Sequence, residues 1–212
     1  FAPDALHGGL AEEWQITRNY FRLYACCNPI HPALDSLGAV LAELRPEPEA
    51  IERIDVLTYR FAAVMRNPDP PNFFASKYSL PHAAAVLAVR GDLGHGALDD
   101  SALRDPRIAA LRARVHVSED PAMSALAPRL RPARVTVTLK DGRQASHSRD
   151  SHRGDFNDPF EPAELHVKFR ELAGHVLASE GVEAAEALCD HIESVPDLRA
   201  AIAGLGRHPL DW

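Results

Sequence analysis

The spacing of apolar residues divides much of the chain into helical segments. Apolar residues recur every three or four positions after Pro32, which predicts a helix over 32–44. A second, alanine-rich helix is predicted over 79–90, and its apolar residues on every side indicate deep burial. Short helices are predicted over 97–113, before the third predicted strand. In the late part of the chain, helices are predicted near 161–177, 181–194 and 197–204.

Alternating apolar and polar residues predict the strands. The aromatic and β-branched segment 14–25 predicts the first strand, and 51–61 and 115–118 predict two more. The clearest alternation flanks Asp141-Gly142 within 135–148, and it predicts a β-hairpin with a primed turn. Four or more strands among helices, without regular βαβ alternation, favour an α+β fold with a small, mainly antiparallel sheet covered by helices.

Composition narrows the class of protein. A length of 212 residues with 46% hydrophobic and 25% charged residues fits one globular domain over 1–212. The net charge of −7 argues against a nucleic-acid partner or an anionic membrane surface. No apolar run approaches the roughly 20 residues of a membrane span. Three cysteines, two of them adjacent, do not form a disulfide framework, so we expect a reducing compartment, the cytoplasm.

The densest polar chemistry lies between Arg22 and Asp35, where the predicted first strand gives way to a helix. This stretch combines a guanidinium, the thiols of Cys26 and Cys27, the imidazole of His31 and a carboxylate. His31 and Asp35 are one helical turn apart and therefore share a face. Because a helix N-terminus attracts anions, the segment predicts a small anionic ligand close to Arg22 and His31.

Three motifs carry a family resemblance. They are Tyr24-Ala-Cys-Cys-Asn-Pro-Ile-His-Pro-Ala-Leu-Asp, Tyr78-Ser-Leu-Pro-His-Ala-Ala-Ala-Val and Gly154-Asp-Phe-Asn-Asp-Pro. With these motifs in this order, the chain resembles the C-terminal domain of the MmgE/PrpD family over about 14–205. That family includes 2-methylcitrate dehydratase, cis-aconitate decarboxylase and iminodisuccinate epimerase. The resemblance implies an α+β domain that packs on a helical N-terminal domain of the same polypeptide, in a homodimer.

The resemblance also implies a function. We expect a cofactor-independent lyase that acts on a small di- or tricarboxylate, by eliminating water or by a related decarboxylation or epimerisation. All of these reactions develop enolate-like charge that needs stabilisation. We expect this chain to hold only half of the site, with further catalytic residues on the helical domain. A non-catalytic domain that binds an anion or contributes dimer contacts is the alternative, because positions 22, 27 and 82 depart from the family pattern.

Three residues are predicted to bind substrate. Arg22 stands where the family often has a pocket lysine, and a guanidinium can hold a carboxylate through two parallel hydrogen bonds. Lys77 adds positive charge for a tricarboxylate, or else is an exposed lysine. Ser79 contacts the substrate or, as its main task, serves as the N-cap of the buried helix.

Three further residues are predicted to be catalytic: His31 and His82 by donating to developing charge or shuttling protons, and Cys27 by lining the ligand cavity as a weak donor. His31 either moves protons or caps the helix, with Asp35 as its orienting partner. His82 stands at the usual family tyrosine, and Cys27 stands where cis-aconitate decarboxylases tend to have a histidine. No metal site is predicted, because the cysteines lack ligand spacing and the histidines of 147–152 do not obviously converge.

Overall fold

The structure, a computed structural model, describes residues 8–10, 12 and 14–205. The chain divides into two compact units, Phe1–Pro159 and Phe160–Trp212. Two compact units do not by themselves make two domains that fold independently. The single domain over 1–212 therefore stays a prediction. None of the described helices has the length and apolar character needed to cross a membrane.

The first unit combines one sheet with helices. Its strands are β1 (Ile51–Thr58), β2 (Val115–Glu119), β3 (Ala133–Leu139) and β4 (Gln144–Arg149). Its α-helices are α1 (His31–Leu44), α2 (Arg60–Ala63), α3 (Phe73–Ser76), α4 (Leu80–Arg90), α5 (Asp100–Arg104), α6 (Pro106–Arg112) and α7 (Pro121–Ser124). Short 3-10 helices form at Gln15–Arg18, Asn28–Ile30 and Pro48–Ala50. The two long helices and the third strand predicted from the sequence are confirmed.

The second unit has helices and no strand among its described residues. They are α8 (Pro162–Ala173), α9 (Ser179–Asp190), a 3-10 turn at Ile192–Ser194 and α10 (Leu198–Leu205). A capping box starts α8, because the side chains of Glu161 and Glu164 each accept a hydrogen bond from the other residue's backbone N–H. The helical spacing predicted for this part of the chain is therefore confirmed.

The sheet has the strand order β2-β1-β3-β4. Strand β1 pairs parallel with β2, with Ile54 opposite Val115, and antiparallel with β3, with Val56 opposite Val135. Strands β3 and β4 form the predicted antiparallel hairpin. Two of the three pairings are antiparallel, so the α+β class and the mainly antiparallel sheet are confirmed.

One apolar core joins this sheet to the two long helices. Helix α1 packs on β3 and β4, and α4 packs on α1, α6 and β2. The alternating residues of β3 point into this core, and Val135 and Val137 are both fully buried. On α1, Leu34 and Leu37 are buried at the spacing of one helical face, which is the face that the periodicity predicted. Burial of these faces holds the N-terminus of α1 in place.

The strand predicted over 14–25 is wrong. Its first half contains the 3-10 helix Gln15–Arg18, and the rest has no regular structure. Backbone N–H groups here bond to separate loops and not to a neighbouring strand: Phe21 donates to the Gly154 carbonyl and Ala25 to the Leu93 carbonyl. Aromatic and β-branched composition favours a strand only where a partner strand can accept its hydrogen bonds. Here the loops accept them, so no strand forms.

Two details of the remaining strands also differ from the prediction. Strand β1 ends at Thr58, and Arg60–Ala63 form a helix, so the segment predicted as a strand to position 61 was too long. The hairpin turn is not primed: Gly142 has a φ of +88°, while Asp141 keeps a negative φ. Leu139 N–H donates to the Arg143 carbonyl across a three-residue loop whose last residue is left-handed, a common hairpin alternative.

This turn gives a prediction with an internal control. Replacing Gly142 with alanine places the new Cβ where it has no neighbour within 4 Å. The alanine must, however, adopt the left-handed backbone conformation of Gly142. We expect a loss of about 1 kcal/mol in the free energy of unfolding. The same substitution at Gly38, inside α1 and also without neighbours within 4 Å, should raise it by about 0.5–1 kcal/mol. Urea unfolding of both variants checks this, and equal signs would contradict it.

Candidate functional site

The irregular segment before α1 brings the three sequence motifs together. Phe21 N–H donates to the Gly154 carbonyl, the first residue of the third motif, at 2.9 Å. Cys27 N–H donates to the carbonyl of Lys77, just before the second motif, also at 2.9 Å. The Nε2 atom of His31 donates to the Cys26 carbonyl at 3.3 Å. Two backbone hydrogen bonds and one from the His31 side chain therefore fix one short segment where distant parts of the chain meet.

Two cations lie on this junction. Arg22 is exposed, and its guanidinium carbon is 6.0 Å from the centroid of the Tyr20 ring. Within residues 8–10, 12 and 14–205, no carboxylate lies within ion-pair distance of Arg22. The ammonium of Lys77 lies 4.4 Å from the centroid of the Phe73 ring. The structure therefore brings two of the predicted binding residues to the same junction, and Arg22 is available to an anion.

The thiols at this junction are poor nucleophiles. Burial raises the pKa of Cys27, and the neighbouring Arg22 charge and a hydrogen bond from the Asn28 N–H lower it only in part. Burial also raises the pKa of Cys26, and the Cys27 thiol pushes it in the same direction. Both groups are therefore protonated at neutral pH, where the thiolate is the reactive form. Cys27 can act here as a weak hydrogen-bond donor.

Asp35 supports the junction, though through partners other than those predicted. Its Oδ1 accepts a hydrogen bond from the Tyr24 hydroxyl at 2.9 Å, and its Oδ2 accepts one from the Arg153 backbone N–H at 2.7 Å. Burial raises the pKa of Asp35, and these two hydrogen bonds lower it in part. The carboxylate thus ties α1 to the segment before it and to the loop of the third motif.

A series of aromatic rings runs through the same region. The Tyr20 ring meets His152 edge-on at 5.3 Å between centroids, His152 meets His31 at 5.5 Å, and His31 meets Tyr24 at 5.2 Å. His152 is fully buried, and burial lowers its pKa. From the sequence this histidine was considered only as a metal ligand, although its position two residues before the third motif was a usable signal.

His82 belongs to a different environment. Its ring is fully buried, and burial lowers its pKa to about 4, with the charges of Arg112 and Arg90 acting in the same direction. Neither ring nitrogen has a hydrogen-bond partner among the described residues. His31, by contrast, contacts Cys26 and the aromatic rings described above. The expectation that Arg22, His31 and His82 surround one ligand therefore fails for His82, which is neutral at pH 7 and enclosed by α4 and its neighbours.

This environment makes His82 a source of pH-dependent stability. The unfolded chain binds a proton on this residue near pH 6.5, whereas the folded chain does so only near pH 4. Stability should therefore fall as the pH drops from 6.5 to 4, by about 3 kcal/mol, and the contribution of His82 should be constant below pH 4. Replacing His82 with leucine loses no hydrogen bond of the ring and should remove this part of the pH dependence.

Urea unfolding at several pH values between 7 and 4 measures this effect. The matched control is His116→Gln, which removes an exposed imidazole from β2, and the acid-dependent loss assigned to His82 should persist in it. His152 titrates in the same direction, so some acid sensitivity should survive in the His82 variant. Identical pH profiles for His82→Leu and the unaltered chain would contradict this role of His82.

Ser79 acts as the N-cap of α4. Its Oγ accepts a hydrogen bond from the His82 backbone N–H at 3.1 Å and donates one to the Asn67 carbonyl at 2.5 Å. The hydroxyl proton is therefore already used within the chain. The N-cap interpretation from the sequence is confirmed, and substrate contact by Ser79 has no support in this geometry.

An open cleft of about 790 Å³ lies beside the junction. Its size is within the range of small-molecule sites. Its wall combines aromatic, aliphatic and charged side chains, among them Tyr20, Asn28, Tyr59, Phe61, Val64 and Arg131. The sequence did not predict this cleft, because Tyr20 and Tyr59 were assigned to strands and Arg131 lies in an unpatterned loop.

One group of side chains in the second unit has the geometry of a metal site. A nitrogen of His166 and carboxylate oxygens of Glu186 and Asp190 lie within 4.8 Å of one another. Both ring nitrogens of His166 already contact these carboxylates, at 2.6 and 3.4 Å. Both oxygens of Glu186 also accept hydrogen bonds from the Arg170 guanidinium. These groups compensate each other's charge, so the arrangement is explained as an ion-pair network.

Comparison with known families identifies the family of this chain. The MmgE/PrpD C-terminal domain matches residues 24–193 of this chain. The chain belongs to the MmgE/PrpD family. Comparison with curated proteins finds no significant match. The matched region contains all three motifs and begins two residues after Arg22.

Proposed function

We propose that this chain is the C-terminal portion of a cofactor-independent lyase that acts on a small di- or tricarboxylate. The observation that carries the proposal is the convergence of three family motifs beside Arg22, a guanidinium without a carboxylate partner among the described residues. A free guanidinium next to an open cleft is suited to a carboxylate, which it can hold through two parallel hydrogen bonds. The helical domain of the same polypeptide and a homodimer are part of the proposal.

Each residue at the junction has a role in this proposal. Arg22 binds one carboxylate, and the Lys77 ammonium adds positive charge beside it. Loss of a proton or of carbon dioxide next to a carboxylate leaves an enolate-like negative charge, which these cations stabilise. The protonated Cys27 thiol donates a weak hydrogen bond toward that charge. The base that removes the proton belongs to the helical domain.

The two predicted imidazoles act indirectly in this proposal. His31 is fully buried and bonds the Cys26 carbonyl, so we assign it a positioning role for the segment that carries Cys27. His82 is buried and neutral in the first turn of α4, so it makes no direct contact with the ligand in this proposal. Dehydration, decarboxylation and epimerisation each develop an enolate-like negative charge. The cations and the thiol at the junction therefore serve each of the three reactions equally.

One observation favours a non-catalytic alternative. Both predicted imidazoles have no exposed surface, so among the described residues that we predicted to contact a ligand at the junction only two cations and a protonated thiol remain. Such a set binds an anion without supplying a base. A domain that only binds an organic acid is therefore the second candidate.

Turnover by the complete polypeptide separates the two functions. Purified protein is incubated with 2-methylcitrate, cis-aconitate or iminodisuccinate, and products are quantified by mass spectrometry. We expect turnover of at least one of these compounds without added cofactor. Binding of the inert analogue tricarballylate without turnover of any of the three would support the non-catalytic function and contradict the lyase.

A further inference from the structure

The cleft beside Tyr20 carries a charge that the described part of the chain does not neutralise. Arg131 is half-buried and lines the cleft, and its guanidinium carbon lies 5.8 Å from the centroid of the Tyr20 ring. Its backbone N–H donates to the Asp150 carbonyl at 2.9 Å, which fixes the residue just before β3. Among residues 8–10, 12 and 14–205, Arg131 has no carboxylate within ion-pair distance.

A second arginine in the same cleft, Arg60, differs from Arg131 in having a carboxylate partner. Arg60 lies 3.7 Å from Oε2 of Glu119, and the other oxygen of that carboxylate accepts a hydrogen bond from Ser124 at 2.8 Å. Arg60 is also largely exposed, with 81% of its side chain accessible. A partly buried, unpaired cation is costly unless an anion completes it, so of these two arginines Arg131 is the one that calls for a ligand.

Arg131 and Arg22 both contact the ring of Tyr20. Both guanidinium carbons lie about 6 Å from its centroid, so they are no more than about 12 Å apart. The same cleft has an apolar part, with Phe61 and Val64 exposed beside the buried Tyr59, and its one lining carboxylate, Glu119, is already paired with Arg60 and Ser124. Two cations and a hydrocarbon wall match an organic acid that carries at least two separated carboxylates.

We propose that Arg131 is a second carboxylate clamp and determines the preference for ligands with more than one carboxylate. One carboxylate binds Arg22, another binds Arg131 across the Tyr20 ring, and the carbon chain contacts Tyr59 and Phe61. This inference takes its ligand class from the proposed function, to which it adds a residue and a basis for selectivity. A monocarboxylate needs only one of the two guanidiniums, so its affinity does not depend on both.

Titration calorimetry with the complete polypeptide tests this clamp. The probes are tricarballylate, with three carboxylates, and butyrate, with one. Arg131→Gln should weaken tricarballylate binding by about 10- to 100-fold, the value of a charge-assisted pair, and change butyrate binding by less than about threefold. Arg131→Lys keeps the charge without the planar fork and should recover part of the loss. Arg60→Gln, in the same cleft but paired, should change neither affinity by more than about twofold.

Each outcome bears on the clamp independently of catalysis. Loss of tricarballylate affinity in Arg131→Gln with butyrate binding retained supports it, even if the protein turns over none of the compounds assayed. Equal losses for both probes would show a general structural effect and overturn it. Unchanged tricarballylate binding would also overturn it, and the lyase proposal would then depend on Arg22 and Lys77. No binding by the unaltered protein would overturn the clamp, while the turnover assay would still decide the lyase proposal. Far-UV circular dichroism verifies that each variant is folded.

Discussion

Replacing Arg22 with glutamine should lower kcat/KM of the complete polypeptide by about 100-fold. The guanidinium has no carboxylate partner among the described residues and stands where the three motifs meet, so its charge is available to the substrate. Glutamine keeps a similar length and polarity but removes the charge and the two-pronged geometry. The loss should appear in both kcat and KM, because the carboxylate is held in the ground state and in the charged intermediate.

Two further variants give this prediction its controls. Arg22→Lys restores the residue type common in the family and keeps the charge, so we expect a loss of about 10-fold or less. Arg134→Gln removes a charge from an exposed position of β3, on the face opposite the buried valines, and should leave kcat/KM unchanged. Steady-state kinetics on the best substrate supplies the values. Equal activity of Arg22→Gln and the unaltered protein would remove the clamp from the proposed function.

The second large effect is on stability and arises at Asp35. Replacing Asp35 with alanine leaves the Tyr24 hydroxyl and the Arg153 N–H without their acceptor, in a partly buried place. An unsatisfied buried donor costs about 1–3 kcal/mol, so we expect a total loss of about 3 kcal/mol. For a chain of this size, that loss lowers the melting temperature by about 10 °C.

Asparagine at the same position is the matched control for Asp35. Its carbonyl oxygen can accept from the Arg153 N–H, while its amide group faces the Tyr24 oxygen, so we expect a loss of only about 1 kcal/mol. Thermal unfolding followed by circular dichroism compares the three proteins. If the alanine and asparagine variants melt together, the two hydrogen bonds to this carboxylate do not hold the junction.

Local pattern was sufficient where an element depends mostly on its own residues. Helix α1 has Pro32 in its first turn and apolar residues on one face, and the hairpin has strict alternation around its turn. The turn itself was predicted wrongly, because Asp-Gly fits a primed turn as well as a three-residue loop with Gly142 in the left-handed position. Local sequence does not distinguish these two loops.

The site depended on contacts that no local pattern encodes. The segment before α1 has strand-like composition, yet its N–H groups bond loops that are distant in the sequence. The pairing of Tyr20 with His152 and with Arg131 arises only from that folding. For His82 the sequence did hold the answer: a helix that is apolar on every side is buried, and a histidine in its first turn is buried with it.

A crystal structure of the complete polypeptide with tricarballylate tests most directly whether Arg22 binds the substrate's carboxylate. This analogue has no hydroxyl group to eliminate and no double bond, so it should remain intact in the site. We expect one carboxylate within hydrogen-bond distance of the Arg22 guanidinium, at the junction of the three motifs. A fully occupied ligand bound elsewhere, with Arg22 pointing into solvent, would contradict the proposed site.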